Sequence, residues 1–244
     1  DITIQEKNTN MKISLSTHGR SLHDFTKVFL LPILLFLWSG NVWGQTNPTA
    51  QALPYTQNFS TFTGSTTTYL SGWQGWKVDD PTNSFPTTPG TVDKTLAGGN
   101  NAVSSAASIL DFNGKIGLIS TGSNGSAIVL AINTTGNTSI TVSYKIGTQR
   151  QATNERQGAV DLQYRVGTTG SFANLGVEYQ NDKATNNTSG TGVINVVTRS
   201  INLPIAAEDK ANVQLRWIYR DTGGSGGRPS FSIDDISVRG TLGS

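Results

Sequence analysis

The chain has 244 residues, with 18 Lys and Arg, 16 Asp and Glu, two His and no Cys. A formal net charge of +2, without a basic run or stripe, does not point to nucleic acid as a direct ligand. The lack of cysteine removes disulfides, thiol nucleophiles and cysteine zinc sites, and a chain of this length buries an adequate core without such staples.

Residues 1–10 read as a short polar extension ahead of Met11, the only methionine. Residues 11–44 carry the pattern of a secretory signal. Lys12, Arg20 and Lys27 supply the positive n-region, the apolar run VFLLPILLFLW follows at 28–38, and small and polar residues lead to a cut after Gly44. The run contains Pro32 and is too short for a helix across a bilayer, which takes about 20 residues. His18 and His23 both lie in this leader. The mature chain is therefore predicted to have neither His nor Cys, which takes away Ser-His-Asp and Cys-His nucleophile systems. Residues 45–244 show no break in composition and no fixed-period repeat, and read as one domain that a longer parent protein would also contain as its N-terminal part.

Within that domain the apolar period is two. Strands are predicted at 55–62 and 75–79, and then a hairpin in DFNGKIGLI, where Asn113-Gly114 suits a type I′ turn with positive φ at both positions. A strand at 127–132 follows. In 140–146, Ile140, Val142, Tyr144 and Ile146 share one face. In 160–166, Val160, Leu162, Tyr164 and Val166 face in against Asp161, Gln163 and Arg165. In 213–219, Val213, Leu215, Trp217 and Tyr219 oppose Gln214, Arg216 and Ile218. Such alternation predicts half-buried antiparallel strands with one wet face. Further strands are predicted at 193–203 and 230–238, with a short helical turn in 204–210. About ten strands joined by turn-rich loops predict an all-β protein, an antiparallel β-sandwich of jelly-roll type. If the loops 181–192 and 221–229 meet at one end, they form the natural contact surface.

Chemistry has few carriers. The glycines of 223–227 lie between two strands and lack the P-loop lysine, so they read as a flexible loop. A carboxylate pair for glycoside hydrolysis would come from Asp79, Asp80, Asp161, Glu178, Asp221, Asp234 and Asp235. Adjacent aspartates in a strand point to opposite faces and make a poor acid/base pair. No enzyme is expected. Asp234 and Asp235 are the sharpest feature. Phe231 and Ile233 have one parity and Ile236 and Val238 the other, so the apolar face switches across the doublet as at a β-bulge. A bulge sets a carboxylate and carbonyl oxygens on one side, the donors that calcium wants in sets of about six to eight. Asn58, Asp79 and Asp80 are distant candidates to complete them. The plain alternative is a solvated doublet, or one paired with Arg216 or Arg239. Trp73 and Trp76 offer faces for sugar stacking, or pack in the core. Arg165 and Arg216, with Asp161, Gln163 and Gln214, line either a glycan-binding sheet face or an ordinary solvated one.

The opening ALPYTQNFSTF with SGWQGWKV, and the closing VQLRWIYRDTGGSGGRPSFSIDDISVRG, resemble the two ends of secreted surface modules of Bacteroidetes-type bacteria. They are similar to MAM-like and cleaved-adhesin, or "choice-of-anchor", jelly rolls. The resemblance implies a module for adhesion or carbohydrate contact, often beside a catalytic or anchoring domain. It also implies that one aspartate in the segment from Ile233 to Ile236 is a calcium ligand in members that bind the ion. The absence of cysteine departs from animal MAM domains. Two functions are expected from these readings. One is a secreted or cell-surface, non-catalytic module for adhesion or glycan recognition with a structural calcium at Asp234 or Asp235. The other is an accessory domain of a larger extracellular nuclease, protease or glycosidase, without a ligand of its own.

Overall fold

The computed structural model describes residues 45–243 apart from 80, 81, 83, 99–107, 155, 190 and 191. The predicted extension 1–10 and signal 11–44 lie outside the described residues, as does Asp80. The described elements, in chain order, are β1 (Gln51–Ala52), β2 (Tyr55–Gln57), β3 (Trp73–Val78), β4 (Val92–Lys94), β5 (Leu96–Gly98), β6 (Ser108–Asp111), β7 (Ile116–Ile119) and β8 (Gly125–Asn133). They continue with β9 (Asn137–Arg150), β10 (Gln157–Val166), β11 (Ala173–Asn174), β12 (Tyr179–Gln180), β13 (Ile194–Asn202), β14 (Val213–Gly223) and β15 (Ser230–Leu242). A single 3₁₀ turn, Ile205–Ala207, falls inside the predicted helical stretch.

Two sheets stack as a sandwich. One runs β11-β10-β14-β8-β3-β4, with β1 on β8 and β12 on β10, and the other runs β13-β9-β15-β7-β6-β5, with β2 on β15. The long strands β8, β9 and β10, and again β13, β14 and β15, step from one sheet to the other at each connection, which is the jelly-roll habit. The predicted hairpin forms between β6 and β7. Asn113 has φ 54° and Gly114 φ 85°, and the Phe112 amide donates to the Lys115 carbonyl at 2.9 Å. The β1, β4, β5, β11 and β12 strands were not predicted: each has two or three residues, too short for a period-two pattern to register.

The core lies between the sheets and takes the inward residues of every long strand. Trp73 on β3 stacks on Trp217 of β14 with ring centroids 5.6 Å apart, and Tyr144 of β9 meets Trp217 edge-on at 5.4 Å. The Trp73 indole N–H reaches the Tyr55 hydroxyl at 2.7 Å, so its polar atom is satisfied inside.

The predicted wet face of β10 and β14 is corrected by the structure. Asp161, Gln163, Arg165, Gln214 and Arg216 are all buried, and Ile218 packs with Val78 and Ala127. Val166, predicted inward, is exposed at the end of its strand, and Tyr164 is half-buried. The outward face is closed by other parts of the chain: the loop 84–91, the turn before β11 that carries Phe172, and Thr46 and Asn47. Trp76 lies in this second, outer layer against Val129 and Phe172, with its indole N–H donating to the Thr46 carbonyl at 3.1 Å. Alternation marks which residues share a face, but it does not say what later lies on that face.

Candidate functional site

The parity switch in β15 is a bulge. Asp234 pairs with Lys145 of β9 and Ser237 with Ser143, so three steps on one strand match two on the other. Asp235 takes the extra place with φ 49°, and its amide donates to Asp234 Oδ1 at 2.8 Å. On the other edge of β15, pairing with β7 ends at Ile233 and pairing with β2 begins at Ile236. The doublet thus sits at a gap in that ladder.

A cleft opens on each side of Asp235. One, of about 320 Å³, is lined by Thr56, Gln57 and Asn58 before and after the end of β2 and by Ser237 and Arg239 of β15. The other, of about 220 Å³, runs over Lys115, Lys145, Ser232 and Asp234, with an apolar wall of Ile146, Val193 and Val196. Gly147 belongs to this wall because a Cβ there would meet Val193 at 2.6 Å and the Ile194 carbonyl at 3.0 Å. Only glycine lets the edge strand β13 close in over it.

The Lys145 ammonium lies 2.8 Å from Asp235 Oδ2, with both side chains about half exposed (50% and 47%). That hydrogen bond raises the Lys145 pKa and keeps the ammonium charged. Burial pushes the Asp234 carboxyl up, against the lowering by the Asp235 amide. Arg239 turns its Nε to Ser237 Oγ at 3.2 Å, and Arg216 lies in the other sheet, so the cationic partner of the doublet is Lys145 and not the arginines named from sequence.

The fit to calcium is poor as these residues stand. Among the described residues there is no group of three or more His, Cys, Asp or Glu side chains able to hold a metal. Asn58 lines the first cleft, but its Oδ1 already accepts from the Ser60 amide at 3.1 Å. Asp79 accepts from Thr88 Oγ1 at 3.4 Å and lines neither cleft. Asp235 faces an ammonium. The described carboxylates by themselves fall short of the oxygen count calcium takes.

The remaining candidates are not brought to this site. Trp73, Trp76, Arg165 and Arg216 are all buried, so none presents a face to solvent at a sheet surface. Asp161 Oδ1 accepts from the Leu162 and Val177 amides at 2.9 Å each, and burial raises its pKa. Glu178 pairs with Arg220 at 2.9 Å. Asp221 is buried between Arg156 (2.9 Å) and Arg228 (3.0 Å). The loops 181–192 and 221–229 each touch the connection between β9 and β10: the Arg156 amide donates to the Gly227 carbonyl at 3.3 Å, and Asn181 Nδ2 to Gln151 Oε1 at 3.0 Å. Sequence reasoning missed Lys115, Lys145 and Ser237. Lys145 stood in the strand pattern as an outward residue, but its place beside Asp235 depends on the register of two strands about ninety residues apart.

No family model and no curated protein matches the chain. Among solved structures it is similar to the K1 cleaved adhesin domain of Lys-gingipain from Porphyromonas gingivalis W83, at 12% identity over 77% of this chain and 98% of that one, with a TM-score of 0.40. The K3 cleaved adhesin domain of the same protein gives 14% identity, 76% and 98% coverage and a TM-score of 0.39. A carbohydrate-binding module in complex with β-1,4-galactotriose gives 12% identity, 52% and 70% coverage and a TM-score of 0.33. Among the described residues no helix is long and apolar enough to cross a membrane. At these identities and scores the neighbours assign this chain no function.

Proposed function

We propose that the chain is a secreted, non-catalytic binding module that holds a neutral saccharide in the clefts on either side of the β15 bulge. The charge balance of the clefts carries this reading. Asp235 faces Arg239 in one, and Lys115 and Lys145 face Asp234 and Asp235 in the other. Each cleft taken by itself balances its charges, with Asp235 shared between the two, and sets donors beside acceptors, which suits hydroxyl groups that both give and take hydrogen bonds. The apolar wall of Ile146, Val193 and Val196 offers a surface for sugar C–H groups. Secretion rests on the leader pattern of residues 11–44.

The test is a screen of neutral oligosaccharides with the full chain, followed by Asp235→Ala and Arg239→Ala on any ligand found. A hydrogen bond to a charged group contributes about 1.5–3 kcal/mol, so each change is expected to weaken binding by about tenfold or more. Added salt is expected to leave the affinity nearly unchanged. Affinity that survives the double variant would move the binding site away from the bulge.

A further inference from the structure

Two fully enclosed arginines occupy the outer face of the first sheet, and none of their partners among the described residues is a carboxylate. Arg216 pairs across β14 and β10 with Gln163, and Arg165 with Gln214, so the two strands carry a checkerboard of arginine and glutamine. Arg216 Nε donates to Gln163 Oε1 at 2.8 Å, Nη1 to the Thr88 carbonyl at 2.8 Å and Nη2 to the Pro86 carbonyl at 2.7 Å. Arg165 Nε donates to Gln214 Oε1 at 2.8 Å and Nη1 to the Gly170 carbonyl at 2.9 Å. Phe172 lies against both guanidinium groups, 3.8 Å from Arg216 and 4.5 Å from Arg165. Asp161 shares the face but spends Oδ1 on backbone amides.

Such an arrangement is electrically incomplete. Buried charges are ordinarily paired, because neutral acceptors replace lost hydration only in part. Burial pushes Arg216 down to about 9, with Arg165 as the second cause, and Arg165 itself down to about 10. Both groups still carry their charge at neutral pH, side by side. What covers them is thin. Residues 84–91 contribute one half-buried apolar anchor, Phe85, which packs on Val78, Ala127 and Ile218 with the Arg220 guanidinium 5.0 Å from its ring. Beyond that anchor the segment is held largely by its own carbonyls: Pro86 to Arg216 and Gln163, Thr88 to Arg216, and Thr87 to the Phe172 amide.

We propose that residues 84–91 are a displaceable strap over a binding face for the carboxylate of an acidic saccharide, which Arg216 grips and Phe172 and Trp76 flank, while Arg165, held by Gln214, Gly170 and Asn47 outside the strap, adds its charge from beside. The Pro86 and Thr88 carbonyl oxygens stand where the ligand's carboxylate oxygens go. The exchange replaces the bonds that Arg216 and Gln163 make to these carbonyls, gives up the Phe172 amide's bond to Thr87 and adds the missing negative charge, and a guanidinium holds a carboxylate more strongly than a neutral carbonyl. This face is in the other sheet from the bulge clefts and stands or falls independently of them.

The experiment uses the full chain with trigalacturonate, a neutral galactotriose and a sulfated trisaccharide at low salt. Phe85→Ala, which loosens the strap, is expected to tighten trigalacturonate binding by about tenfold, since closure of a competent face lowers apparent affinity by the closed fraction. Adding Arg165→Gln to that variant is expected to remove the gain. Because Arg216→Gln strips the strap of its main donors and risks misfolding, the second readout is made on the unaltered protein. Hydrogen exchange of the Phe172 amide, bonded to the Thr87 carbonyl at 2.8 Å, is expected to speed up on saturation with trigalacturonate. Equal binding by Phe85→Ala and the unaltered protein, or an exchange rate that the ligand leaves unchanged, overturns the proposal. Equal binding of galactotriose or of the sulfated sugar overturns the assignment to a carboxylate.

Discussion

Asp182 ties the loop that follows β12 to its surroundings with one carboxylate. Oδ1 accepts from Gln151 Nε2 at 2.8 Å, and from the Ala184 and Thr185 amides at 3.0 and 3.2 Å. Oδ2 accepts from Thr185 Oγ1 at 3.0 Å and Asn195 Nδ2 at 2.6 Å. With the Gln151 bond as the largest cause, the carboxyl is pulled down to about 2. Its folded value therefore lies below the unfolded value of about 3.9, so its contribution is fully present above about pH 4 and is lost as the pH falls towards 2. Urea unfolding at a series of pH values is expected to show a fall in stability across that window, and Asp182→Asn is expected to flatten it. The side chain is exposed, so the change is small. Asp182 was not among the acids that the sequence singled out. Five donors from three stretches of chain single it out, and no local pattern in the sequence brings those stretches together.

At the scale of the element, β15 combines a legible feature with an illegible one. The change of parity between Ile233 and Ile236 follows from apolar side chains three residues apart, so the bulge could be read directly. Its pairing could not: β15 lies between β9 on one side and β7 and β2 on the other, and Lys145, Lys115 and Asn58 arrive from three separate segments. The left-handed backbone at Asp235 gives a test of the bulge apart from its charges. Asp235→Val places a β-branched side chain at φ 49° and is expected to destabilise the fold by about 2 kcal/mol. Asp235→Gly removes the same carboxylate but accepts that backbone, and should cost less than about 1 kcal/mol, the size of an exposed ion pair. Equal losses in urea unfolding would place the whole effect in the Lys145 contact instead of in the backbone.

For the whole molecule, the question is what fastens the sandwich where resemblance to cleaved-adhesin jelly rolls implied an ion. Lys145 meets Asp235 across β9 and β15, and Asp221 anchors Arg156 and Arg228 at one end, so ion pairs bridge distant strands. Thermal unfolding is expected to be the same in calcium and in excess chelator. A native-state ligand at a hundred times its Kd would add about 2.7 kcal/mol and raise Tm by several degrees, and such a rise, absent from Asp235→Ala, would put a cation in place of the ammonium. The sandwich itself was legible because the period-two runs of β9, β10 and β14 are long enough to exclude a helix. The layer outside it was not. Arg216 reaches Pro86 across 130 positions of sequence, and a proline-rich loop carries no periodic mark of the surface it will cover.

The pairing of β2 with β15 also has a mechanical consequence. Tyr55 faces Val238 and Gln57 faces Ile236, so the incoming and outgoing chain directions leave this short ladder at the same end. A pull that separates the two chain ends therefore loads its hydrogen bonds one after another, as in opening a zip, and not all together in shear. The load reaches the seam made by β2 only through β1 on β8 and through the end of β15 on β9, so these outer pairings stand guard over it.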